Sequence, residues 1–230
     1  MRQRLAILAG IALLTGCATF HPAELQLSKD RDGDQCRVAD GERAIAACRR
    51  VLDRPPLSER TPVETRVVVY ALRSYHAILL GWRLMRAGRP GEALAVADTA
   101  LDIAERFKRS GPLRAPSAEA ERLRASTLQR AGAHAVAAGA LVRLRRWDEA
   151  TTHLRETVGG VPDKAIFWGA LGVVANQAGH FEESSAAFAR AEELDPRYFA
   201  GERRGQREIW HASQEGRRFD TATFEDELLL

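Results

Sequence analysis

Residues 165–198 read AIFWGALGVVANQAGHFEESSAAFARAEELDPRY, and their spacing decides the fold. Small and aromatic residues fall at helical intervals, Gly179 interrupts them, and Pro196 closes the stretch after Leu194-Asp195. That pattern predicts a helix, a tight turn and a second helix, because glycine ends helices and proline cannot continue them. The stretch also echoes what precedes it. Trp147 aligns with Phe181, Ala150 with Ser184, Leu154 with Phe188 and Pro162 with Pro196, each pair 34 residues apart. Self-similarity at a fixed period predicts stacked units, each with an apolar seam that it cannot bury alone.

Working outward, the same helical composition holds over the rest of the chain. Ala, Leu, Arg and Glu dominate, and the β-branched run Val67-Val68-Val69 sits in a stretch whose wider spacing is still helical. The expected class is all-α.

Residues 165–198 resemble the tetratricopeptide repeat. Trp168, Leu171 and Gly172 match the start of that unit, Gly179 its turn, and Phe181, Phe188 and Ala191 its second helix. Ser184 stands where alanine is usual and Ala175 where tyrosine is usual. Further units resemble it more weakly. Residues 131–164 carry Trp147, Ala150, Leu154 and Pro162, but Arg145 replaces the turn glycine. Residues 74–107 carry Leu80-Gly81, Gly88, Ala93, Ala97 and Ala100. A partial unit at 35–58 carries Ala44, Cys48 and Pro56. The resemblance implies an α-solenoid of antiparallel helical hairpins over residues 35–216. Gly81 and Gly172 then mark places where a side chain would hold helices apart. Residues 203–214, with Ile209 and Trp210 on one side and charges on the other, read as the polar cap that such a stack needs.

Two stretches fit the period poorly. Residues 60–73 either extend the helix that follows or form a separate turn. Between Phe107 and Ala131 a 23-residue segment, 108–130, interrupts the register: a loop over 108–116, then an extra or extended helix. This insertion is the segment left free to build a closed pocket.

The N-terminus predicts an address rather than a fold. Arg2 and Arg4 precede a short apolar stretch over residues 5–14, then Leu14-Thr15-Gly16-Cys17. Basic start, greasy core and small residues at a cut site make a secretion signal, and the core is too short to span a bilayer comfortably. The site resembles the lipobox of bacterial lipoproteins, which implies cleavage after residue 16 and acyl chains on Cys17. Ala18, not an aspartate, implies the outer membrane, with the protein facing the periplasm. An ordinary signal cut near Ala18 is the alternative. Residues 17–34 then read as a polar tether.

The precursor has 34 Lys+Arg against 31 Asp+Glu; loss of Arg2 and Arg4 with the signal leaves 32 against 31. Nothing in that balance points to nucleic acid. Cys36 and Cys48 remain as an even pair in a compartment that permits disulfides, and a disulfide is expected; two buried free thiols are the alternative.

No catalytic pattern emerges. His21, His76, His134, His153, His180 and His211 include no pair at helical metal-motif spacing, and nucleophile-elbow, phosphate-loop and dinucleotide fingerprints are absent. No metal, cofactor or catalytic residue is expected. Arg143, Arg145 and Arg146 form a basic run, read either as a patch for an acidic partner or as a helix end that prefers positive charge.

Binding remains. In the tetratricopeptide family, groove side chains fall at the second, fifth, ninth and twelfth positions of a unit. The resemblance therefore implies a groove at Tyr75, Ile78, Trp82 and Met85. It continues through Gly132, Ala135, Gly139 and Val142 to Ile166, Gly169, Val173 and Asn176. The expected function is a lipid-anchored scaffold that holds other envelope proteins or peptides in this groove, as in envelope assembly or the positioning of peptidoglycan enzymes. The alternatives are a ligand-binding or enzymatic protein with its site at 108–130, and self-association through the Trp82 face. The tail 217–230 ends Glu225-Asp226-Glu227-Leu228-Leu229-Leu230, which either docks on the stack or a partner or frays.

Overall fold

A computed structural model describes residues 30–200 and 203–220. The stretch read as a signal, 1–16, with Cys17, most of the stretch read as a tether and residues 221–230, lies outside the described residues. The described part is all-α: α1 (Arg31–Val38), α2 (Gly41–Leu52), α3 (Val63–Arg86), α4 (Pro90–Lys108), α5 (Pro116–Arg143), α6 (Trp147–Gly160), α7 (Ala165–Ala178), α8 (Phe181–Leu194) and α9 (Arg204–Gln214). None of these helices is long and apolar enough to cross a membrane. Each packs on its neighbours in sequence, and α3 also packs on α5.

α1 starts inside the stretch read as tether. Asp30 caps it, accepting from the Asp32 and Gly33 amides at 3.1 Å, and Arg54 donates to the same carboxylate at 2.7 and 2.6 Å. The Arg54 guanidinium holds the Asp30 carboxyl below its ordinary range. Residues 31–34 thus belong to the folded body, and dense charge there marks a capped helix start. Cys36 and Cys48 are joined as a disulfide, with Cα atoms 4.7 Å apart, tying α1 to α2.

Hairpin turns share one hydrogen-bond pattern. Arg89 N donates to Leu84 O, Arg146 N to Leu141 O and His180 N to Ala175 O, at 2.8–2.9 Å. This bond closes a helix on a left-handed residue: Gly88 (φ 72°), Arg145 (φ 57°) and Gly179 (φ 87°). Arginine in that slot costs roughly 1 kcal/mol that glycine would not. α9 ends the same way, Arg217 N to Ala212 O at 3.0 Å over Gly216 (φ 67°).

The break in period comes from helix length. α6, α7 and α8 have 14 residues each, whereas α3 has 24, α4 has 19 and α5 has 28. Residues 63–73 extend α3, and residues 116–130 extend α5; the insertion reduces to the loop 109–115 plus these added turns. The extensions bury each other through Val67, Tyr70 and Phe107, with Ile103, Leu113 and Ala125 alongside. Arg122, only 4% exposed, pins the loop by donating to Phe107 O (2.9 Å) and Lys108 O (2.6 Å), and it grips Glu119. Glu119 in turn accepts from the Leu113 amide at 3.0 Å.

At the far end α9 caps α7 and α8. Val173, Phe188, Tyr198, Phe199 and Ile209 form the core there. Trp210, read from the sequence as part of the cap's apolar side, stacks on Phe199 at 5.2 Å and donates to Ser185 Oγ at 3.2 Å.

Candidate interaction face

The first helix of each hairpin, α3, α5 and α7, carries the positions expected to line a groove. Their sizes interlock. A Cβ on Gly132 would sit 3.1 Å from Ile78 Cδ1, and one on Gly139 would sit 3.0 Å from Met85 Cε and Sδ and 3.8 Å from Trp82 Cζ3. Small residues on α5 therefore receive large ones from α3, and the two helices approach closely because glycine leaves room. At Gly81 an added Cβ would run into the Val136 methyl, so the approach is tight from both sides.

This packing separates the four α3 residues. Met85 is buried, Tyr75 and Ile78 are half-buried, and Trp82 is 39% exposed. Neither the extension 63–73, which continues α3 itself, nor the loop 109–115 takes Trp82 out of solvent. Leu144, at the end of α5, is 38% exposed, so an aromatic and an aliphatic side chain are both accessible where α3 and α5 end.

The α7 positions are in a different state. Ile166 is half-buried, Gly169 lies under Tyr198, Val173 is 4% exposed and Asn176 is 0% exposed. What covers Val173 and Asn176 is the chain itself. Asn176 Nδ2 donates to Ser213 Oγ at 2.9 Å and to Arg217 O at 3.0 Å, while its Oδ1 accepts from the Phe219 amide at 2.8 Å and from Gln177 Nε2 at 3.1 Å. All four hydrogen-bonding valences of the amide are filled, as a fully buried asparagine requires. Gln177 Nε2 also donates to Phe219 O at 2.8 Å. Ser184 extends the network: its Oγ donates to Gly172 O at 2.6 Å and lies 2.7 Å from Ser213 Oγ. Val173 and Asn176 are thus occupied by α9 and residues 217–219 and offer no open surface.

Gln177 and Ser213 were not visible as partners in the sequence. The serine at 184, where the resembling family carries alanine, was the one local signal of a polar contact there.

Elsewhere the titratable groups make structural pairs. His134 and His153, on α5 and α6, face each other with Nδ1 atoms 2.9 Å apart. Burial holds both below the ordinary histidine value, and for His134 the neighbouring His153 adds to the effect. Arg146 grips Glu149, and Arg155 grips Glu183, at 2.6–2.7 Å. Among the described residues no group of three His, Cys, Asp or Glu side chains is placed to hold a metal ion.

Compared with known protein families and with curated proteins, the chain matches none.

Proposed function

We propose that this chain is a tetratricopeptide-type solenoid, anchored through lipid on Cys17 at the outer membrane and facing the periplasm, that binds other envelope proteins or peptides. Its role is that of a scaffold or adaptor, in envelope assembly or in positioning peptidoglycan enzymes. The binding face is the Trp82 end of the first-helix surface, with Tyr75, Ile78 and Met85 shaping it from below. One observation carries the reading: a tryptophan 39% exposed on α3, set against Gly139 of α5, with exposed Leu144 at the end of α5. Tryptophan is among the residue types enriched in the few side chains that carry most of the binding energy at protein interfaces. The 34-residue echo, the sequential helix packing and the shared turn pattern support the solenoid; residues 1–18 support the anchor.

The test is in-cell crosslinking followed by affinity purification from gently solubilised membranes, comparing wild type with the Tyr75→Ala/Trp82→Ala double variant. Discrete partners that accompany wild type and are lost from a folded variant are expected. Identical partner sets for both proteins would overturn the face, and no specific partner with either would overturn the adaptor.

A further inference from the structure

One stripe of α3 runs from apolar to cationic. Tyr75, Trp82 and Arg86 stand at i, i+7 and i+11, which share a helix face. Tyr75 is half-buried, and Trp82 and Arg86 are exposed. Helices flank this stripe on both sides. On one side α5 runs parallel and in register: Gly132 stands against Ile78, Val136 against Gly81, and Gly139 against Met85 and Trp82. On the other side α1 lies over His76 and Arg83. A Cβ on Gly33 would sit 3.4 Å from His76 Cε1, and Arg83 Nη2 donates to Arg37 O at 3.1 Å. At about 100° per residue, Arg83 and Met85 leave α3 on opposite flanks, with Trp82 between them. The stripe is therefore the floor of a trough whose walls are α1 and α5.

The end of this trough is cationic. Arg86 follows Trp82 by four residues and Arg143 follows Gly139 by four, so both arginines stand one turn beyond the Trp82–Gly139 contact. Both are exposed, and neither makes an ion pair among the described residues. The carboxylates of Asp34, Glu42, Glu92 and Glu149 are held instead by Arg37, Arg89 and Arg146. The negative ends of α3 and α5 account for arginine at these positions, but not for the apolar surface beside them. Among the described residues the large exposed apolar side chains are Val38, Trp82 and Leu144, at or within about one turn of the ends of α1, α3 and α5, and Leu123 and Leu128 on the extension of α5. Exposed apolar surface and unpaired cations thus coincide at the end of the trough.

We propose that the trough takes an acidic amphipathic segment of a partner protein. Its apolar side chains lie over Tyr75 and Trp82, and its aspartate or glutamate side chains, one turn further on, meet Arg86 and Arg143. Charge complementarity selects the acid: two guanidinium forks on neighbouring helix ends repel one another, and a carboxylate placed between them pairs with both. The Trp82 ring lies against Gly139, within the trough rather than on a protruding tip, so a polypeptide segment reaches it and a flat membrane surface does not. The proposal rests on the reading of the Trp82 end as the binding face and adds the class of partner.

The test is fluorescence polarisation on the purified full chain with two labelled, C-terminally amidated peptides. One is an amphipathic peptide of leucine, alanine and glutamate; its twin carries lysine in place of each glutamate. At low salt the acidic peptide should bind about tenfold more tightly than its twin, and added salt should narrow the gap. Arg86→Glu/Arg143→Glu, with its fold checked by circular dichroism, should invert the preference. Equal affinity of wild type for the two peptides, or no binding of either, would overturn the proposal without recourse to a variant. So would displacement of the acidic peptide by phosphatidylglycerol vesicles but not by phosphatidylcholine vesicles, since lipid headgroups would then hold the arginines. In cells the two readings separate. Partners lost with Tyr75→Ala/Trp82→Ala but kept by Arg86→Glu/Arg143→Glu would overturn the acidic class and leave the adaptor standing.

Discussion

Gly172→Ala isolates the packing logic of the stack. A Cβ at this position would lie 2.8 Å from three ring atoms of Phe188, a side chain with 0% exposure. Carbon atoms pack at roughly 3.5–4.0 Å, so the ring or the helix must move by about 1 Å inside a close-packed core. Overpacking of that kind costs about 1–3 kcal/mol, and three simultaneous contacts on a caged ring place it near the upper end. Alanine over glycine in a helix returns about 1 kcal/mol, leaving a net loss of about 2 kcal/mol. The control is Gly159→Ala on α6, where the same methyl meets nothing within 4 Å and should stabilise by up to about 1 kcal/mol. The two identical substitutions should therefore differ by about 3 kcal/mol. Urea unfolding followed by tryptophan fluorescence measures both, with the slope unchanged if only stability moves. Phe188→Leu should be less damaging in the Gly172→Ala background than alone, with a coupling of about 1 kcal/mol. A Gly172→Ala protein as stable as Gly159→Ala, or a strictly additive double variant, would refute the close-approach argument.

Other expectations follow from single groups. The Cys36–Cys48 bridge closes a sequence separation of 12, so the Cys36→Ser/Cys48→Ser variant should lose about 3 kcal/mol in urea titrations, an effect that reducing agent reproduces in wild type; equal midpoints with and without reductant would contradict the pairing. Arg122 and the Leu113 amide hold the Glu119 carboxyl down from 4.5 to about 2. Its folded value lies below the unfolded one, so its contribution is complete above pH 4.5 and is lost as pH falls through about 2. Glu119→Gln should flatten the acid limb of stability within that window, and parallel wild-type and variant curves would refute the pairing. Burial lowers His134 and His153 below 6.5, so in the folded protein both should titrate by NMR below that value, and their contribution should weaken as pH drops beneath it. A midpoint at or above 6.5 for either would contradict the buried pair.

The helical class, the hairpin at 165–194 and the pairing of Cys36 with Cys48 were legible because each is local. Gly179 ends one helix, Phe181 opens the next, and two cysteines in adjacent short helices have few other choices. The lengths of α3 and α5 were half legible: residues 60–73 and the second part of 108–130 read as helix that either extends its neighbour or stands apart, and the structure shows extension. The choice between the two options is made by contacts between Val67, Tyr70, Phe107 and Ala125, which are distant in sequence, so the local pattern of residues 108–130 left it open. Asp30 was hidden among other charges, and only its two amide partners and Arg54 distinguish it from tether. Asn176 shows the same limit more sharply. Position in the unit placed it in a groove, but its four hydrogen bonds go to Gln177 beside it and to residues 37 or more positions away, and no local pattern encodes the latter.

The central claim, that the Trp82 end of the first-helix surface meets a partner, is tested most directly by placing a photoreactive amino acid at Trp82 and, separately, at Thr99, an exposed residue of α4, in living cells. The account predicts discrete higher-mass adducts from position 82 and none of the same species from position 99. Identical adducts from both positions, or none from position 82 while the protein is folded and abundant, would contradict it.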